Sequence, residues 1–249
     1  MGWARTKTML VTPQKFAFAA FYRTFVTLQF AIVTGLLLLS LAAYMFVSVT
    51  GYARALGLVR LLDLNEEQNL PTFLSTLNLL LASFLLFVIW RLTPAWERPS
   101  RRYWLALALI FVYLSFDENA GIHETVLTYV GRASVGNVHE MLGGRDWIPI
   151  GLALTLVAGL VLVNFLRHLP PWLTVQFIIA GALFVAGVFG FELAGAWFLY
   201  SGGTEFDMLF RLDAVAKEGC EMYGIALFNC ALFRVLAARS VYLEIAAYT

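Results

Sequence analysis

Charge is scarce in this chain. Asp, Glu, Lys and Arg make up 13% of 249 residues, and apolar residues reach 61%; soluble domains carry roughly 25% and 45–50%. No polar stretch is long enough to bury a core of its own, which excludes a separate soluble domain. Cysteine is nearly absent. Cys220 and Cys230 lie ten residues apart on one predicted helix, about 15 Å of rise, too far for a disulfide between them. Histidine occurs only three times. Neither a His-Glu-x-x-His motif nor the doubled Glu-x-x-His spacing of di-iron bundles is present. No internal repeat, heptad or low-complexity tract divides residues 1–249, so a single domain is expected, and no nucleic-acid partner. No secretory signal is expected at the N-terminus either. The first long apolar run starts near Phe25 and outlasts the roughly 7–15 residues of a signal core.

What the chain has is apolar length. Six spans are predicted: Phe25–Thr50, Thr72–Leu92, Tyr103–Tyr129, Trp147–Leu166, Leu173–Tyr200 and Met208–Leu236. Pro71, "TPAWERPSRR", "GRASVGNVHEMLGGRD", "RHLPP" and "SGGTEFD" mark the breaks. The fold class expected is all-α, a polytopic membrane bundle of six helices. The segment before the first span, within residues 1–24, mixes Lys15 and Arg23 with Phe16, Phe18, Phe21 and Tyr22. That composition suits a helix lying in the membrane interface or an extended start to the span. Orientation follows from the cations. With both termini inside, eleven of the seventeen Lys and Arg fall on the cytoplasmic side, the orientation expected here.

Six acids lie within the predicted spans: Asp117, Glu118, Glu124, Glu192, Glu218 and Glu221, with Lys217 beside them and His123 as a titratable neighbour. An ionised carboxylate at mid-bilayer costs about 2.5–3.5 kcal/mol on insertion scales, so six of them need protons, a metal ion or cationic partners. At 1.5 Å per residue all six fall in the outer half of the bilayer, on three different helices. At about 100° per residue Asp117 and Glu124 share one face of the third helix; Gly121 between them is positioned to break it. On the sixth helix Glu218 and Glu221 share a face, and Asp213, Lys217 and Glu221 form an i,i+4 stripe suited to ion pairing. The fifth helix, lined by Ala186, Gly187, Gly190, Ala194 and Gly195, is expected at the centre, with Glu192 facing its neighbours. Ser75 and Asn78 fall at the same level, as donors to the acids or as packing residues.

Three accounts fit these residues. Carboxylates with one imidazole from facing helices are the donor set of zinc, iron or manganese sites in bundles. Asp117, His123, Glu124, Glu218 and Glu221 are the expected ligands of a divalent metal, with Glu118 or Glu192 as general base; His139-Glu140 is placed either to close the site from above or as an ordinary surface pair. A second account has internal ion pairs, with Arg145 and Arg211 neutralising some acids and the rest buried neutral. A proton or cation pathway is the third, without an inner half-path to complete it.

The segments "LLDLNEEQNLPTFLS", "SFDENAGIHE" and "KEGCEMYG" resemble a group of six-helix bacterial membrane proteins of undetermined activity. Ser75, Asp117 and His123 are also similar to the Ser, Asp and His set around a metal in alkaline-ceramidase-type membrane hydrolases. Where those enzymes carry two late histidines, this chain has Glu218 and Glu221. The expected function is therefore a carboxylate/His site, metal-binding, in a membrane-embedded hydrolase acting on a lipid or other membrane-accessible substrate. The alternative is an accessory subunit of a larger respiratory or photosynthetic membrane complex, its many phenylalanines facing lipid, partner helices or a second copy.

Overall fold

A computed structural model describes residues 3–52, 57–95, 97–135 and 139–247. Among them there is helix and no strand. The helices are α1 (Trp3–Thr50), α2 (Leu58–Leu61), α3 (Leu70–Leu92), α4 (Arg98–Ala120), α5 (Thr128–Val135), α6 (Ile148–Arg167), α7 (Pro171–Val185), α8 (Glu192–Tyr200) and α9 (Met208–Ala247). Two π-helical turns, His123–Leu127 and Ala186–Phe191, lead into α5 and join α7 to α8. Among the described residues five stretches are long and apolar enough to cross a membrane, six if α4 and its bent continuation are taken as one span. The chain is a polytopic membrane protein. In α1 the apolar stretch covers 20–50; the side chains of Lys15, Phe16 and Phe18 lie outside the described residues.

Helix boundaries follow local chemistry. Asn69 caps α3, its Oδ1 accepting from the Thr72 N–H and hydroxyl at 3.1 Å each, with Pro71 in the first turn where no N–H is needed. The Asn69 amide also donates to the carbonyls of Asp63 and Glu66, tying the preceding loop to the helix. The third span is not the continuous helix expected over Tyr103–Tyr129. Gly121 ends α4 in the left-handed conformation (φ 56°, ψ 37°), open to glycine at little cost, and the chain resumes at His123 bent by 79°.

The centre of the bundle is α9, packed by α1, α3, α7, the second π turn and α8. This corrects the expectation that small residues put the fifth span there. Gly187 and Gly195 are buried against α9, whereas Ala186, Gly190 and Ala194 are exposed. A Cβ on Gly187 would collide with Glu221, and one on Gly195 would stand 2.9 Å from Asp213. Gly224 of α9 meets the Ala180 carbonyl in the same way, at 2.8 Å. The small residues therefore let the fifth span close on α9 along one side.

The bundle has two unlike ends. At one, Trp104, Phe165, Phe177 and Phe228 form a ring cluster over Leu86 and Leu232. The other carries the loops 57–69, 139–147 and 201–207 and the membrane acids.

Candidate functional site: an acid cluster under a broken helix

The break at Gly121 builds the upper part of the site. Past the glycine the N–H groups of a new helical turn need acceptors, and Asp117 supplies one: its Oδ1 accepts the His123 N–H at 2.7 Å. Its Oδ2 stands 2.7 Å from His123 Nδ1. Asp117 is buried, and the His123 ring meets Trp147 edge-on at 4.6 Å. An imidazole fixed through Nδ1 leaves Nε2 as its working atom, the arrangement of an oriented base or ligand.

Over the break sits Glu67, from the loop that Asn69 ties down. Its carboxylate oxygens lie 3.3 and 3.4 Å from where a Gly121 Cβ would stand, so a side chain there would meet a left-handed backbone and have to move the end of Glu67 aside. Burial, with the Glu124 carboxylate second, pushes Glu67 above the ordinary carboxylate range, against the pull of His123 and Lys217. The loop itself is held by Tyr44, whose hydroxyl donates to Asp63 Oδ1 at 2.7 Å and accepts the Leu64 N–H at 2.8 Å.

Below lies the denser cluster. Lys217 Nζ is 2.8 Å from Glu192 Oε2 and 3.8 Å from Glu218 Oε1. Arg145 reaches in from the 139–147 loop to pair with Glu192 Oε1. Glu118 and Glu221 line one small cavity with Ser75 and Asn78, and Glu221 Oε1 is buried without a hydrogen-bond partner. Outside this group His139 Nδ1 lies 2.8 Å from both oxygens of the fully buried Asp146, and Arg132 approaches the same carboxylate at 3.7 Å.

Several sequence expectations change here. It is Glu118, not Asp117 or Glu124, that meets Glu221; Asp117 is occupied by His123, and Glu124 is exposed toward Glu67. Of the expected ligand set Asp117, His123, Glu124, Glu218 and Glu221, Asp117 pairs with His123, Glu124 is exposed, Glu218 faces Lys217 and Glu221 lines the cavity with Glu118. Among the described residues no three His, Cys, Asp or Glu side chains group for a metal ion. Glu192 is no free base, since two cations hold it. Lys217 pairs across to Glu192 on the fifth span rather than along the Asp213–Glu221 stripe, because Gly187 brings the two helices together. His139 turns to Asp146 instead of closing the acid cluster, and Arg211 lies on the Tyr44 ring and carbonyl. Glu67 was missed. Its only signal was an acidic pair followed by the Asn-x-Pro start of a helix.

A family model described as a domain of unknown function (DUF8692) matches residues 26–236, and the chain belongs to that family. No curated protein and no solved structure matches it.

Proposed function

We propose that this DUF8692 protein is a membrane-embedded receptor for positive charge, taking up protons or a cation at the carboxylate cluster from the end that carries Glu67 and Glu124. One observation carries the reading. Both cations of the cluster, Arg145 and Lys217, are committed to Glu192 and Glu218, while Glu118 and Glu221 share a cavity with no cation of their own. Two unit charges 4 Å apart repel by about 4 kcal/mol at an effective dielectric of 20. Four carboxylates, Glu118, Glu192, Glu218 and Glu221, against Arg145 and Lys217 leave two formal negative charges, which protons or a cation from outside the protein would balance. By the eleven-to-six division of cations that end faces away from the cytoplasm of a bacterial inner membrane, with both termini inside.

Infrared difference spectroscopy and cation titration of the purified protein test the reading together. Either a carboxylic-acid carbonyl band that Glu221→Gln removes, or a thermal midpoint that responds to added cation and loses that response in Glu221→Gln, is expected. Protein showing neither would overturn it.

The His123–Asp117 pair favours a second reading, a hydrolase in which His123 Nε2 serves as general base toward a membrane-accessible substrate. His123→Ala abolishing turnover while leaving the infrared and cation signals intact would separate the two. The subunit reading draws on α6, whose apolar stretch is only 11% buried; a partner retained in stoichiometric amount in mild detergent would support it.

A further inference from the structure

The cavity beneath the helix break has the composition of an ion site. Ser75 and Asn78 of α3, Glu118 of α4 and Glu221 of α9 line it, closed by Phe184 and Met222. Its volume is about 10 Å³, room for one body the size of a water. Asn78 is 6% exposed, and Glu221 Oε1 is sealed from the surface with no partner. A buried carboxylate oxygen left unpaired costs at least what a lost charged hydrogen bond does, so something is to be expected against it.

Resting on the charge-uptake reading above, we infer that this cavity binds one calcium-like divalent cation through the oxygens of Ser75, Asn78, Glu118 and Glu221. Donor type selects the class. The polar side chains lining the cavity, Ser75, Asn78, Glu118 and Glu221, can each turn oxygen to it, which suits hard cations; no thiol or imidazole lines it, and the one sulfur is the uncharged thioether of Met222. Donor number agrees: two oxygens from each carboxylate and one from each of Ser75 and Asn78 reach the lower bound of the six to eight that calcium takes. Size separates calcium from magnesium, which keeps several waters that this cavity has no room for. Charge closes the argument. With Arg145 and Lys217 set against Glu192 and Glu218, Glu118 and Glu221 carry two negative charges for one divalent ion to balance.

The full-length protein in mild detergent, stripped with a calcium chelator, is titrated with calcium chloride by calorimetry and its thermal midpoint followed. One calcium per chain is expected, with a saturable rise in the midpoint and a much weaker response to magnesium. Ser75→Ala, a small change at a half-buried position, should weaken binding by about tenfold, as loss of one oxygen from a site does, while the protein still folds. Glu118→Gln and Glu221→Gln should each abolish it. Wild-type protein that binds no calcium, or calcium binding that survives both glutamate substitutions, overturns the site. Protein that ignores calcium yet shows a carboxylic-acid band removed by Glu221→Gln loses this inference and keeps the charge-uptake reading; protein with neither signal loses both.

Discussion

The two ends of the bundle are held by different forces. At the apolar end Trp104 meets Phe165 edge-on at 4.8 Å and Phe177 at 6.2 Å, and Phe111 stacks on Phe228 at 4.9 Å. Ring pairs of this kind add about 0.5–1.5 kcal/mol each beyond their burial. At the acidic end, Glu192 binds Arg145 and Lys217, and Asp117 binds His123. Chemistry of that sort is a poor choice for rigidity inside a membrane, because each partner depends on the other being present. The apolar end is packed to stay as it is. The acidic end rests instead on charges set against one another, Glu192 between Arg145 and Lys217 and Asp117 against His123.

The largest break in this comparison comes from Lys217→Met. Removing the cation leaves Glu192 with Arg145 alone and Glu218 with no cation, and removing one partner of a buried pair costs about 3–5 kcal/mol. Unfolding in mild detergent should show that loss, and Glu192→Gln in the same chain should recover part of it. A loss under about 1 kcal/mol would mean that the acidic end is not held by charge. Phe165→Leu probes the other end. It removes ring pairs with Tyr103 and Trp104, for an expected loss of about 2 kcal/mol, and unlike Lys217→Met it should leave any cation response unchanged.

Much of this contrast could be read in the sequence, because apolar length and buried acids are both composition. The spans, the layer of acids on three helices and Gly121 as a breaking point all follow from that. The choice between Asp117 and Glu118 did not. Adjacent residues differ by about 100° around a helix, and a phase argument run from Asp117 to Glu124 crosses a 79° bend and a π-helical turn that reset the phase. Glu67 comes from a loop, whose reach no periodicity describes, whereas Arg145 was expected among the cations neutralising the acids and does pair with Glu192. The centre of the bundle was misplaced for another reason: small residues mark close approach, and in a bundle the helix approached need not be the one that carries them. Here α9 is approached by Gly187 and Gly195 while presenting its own Gly224 to α7.

A smaller effect is expected at Asn69, where the acidic end depends on a cap rather than an ion pair. Asn69→Ala removes the acceptor for Thr72 and the two amide bonds to the Asp63 and Glu66 carbonyls. Loss of such a cap costs typically about 1 kcal/mol. The carbonyls it frees lie in the loop that positions Glu67, so the response of the site to added cation should broaden as stability falls. Unchanged stability would show that Pro71 alone defines the start of α3.

The smallest expected effect separates the rim of the acidic end from its interior. Glu67 is held above its ordinary value of 4.5 by burial first and by Glu124 second. A carboxylate whose folded value lies above its unfolded one contributes its stability fully below the unfolded value, and loses it as pH rises through the folded one. Wild-type protein should therefore give up a little stability as pH rises above the ordinary value of 4.5 at this residue, and Glu67→Gln, which carries no titrating proton, should flatten that part of the curve. Much of the Glu67 side chain is exposed, so solvent and salt screen the effect and keep it small. Thermal midpoints of the two proteins across that range, at low and high salt, give the difference curve. A difference that grows with pH in the opposite sense, or one that salt leaves unchanged, would mean that Glu67 does not respond to Glu124 and is only a lid resting on Gly121.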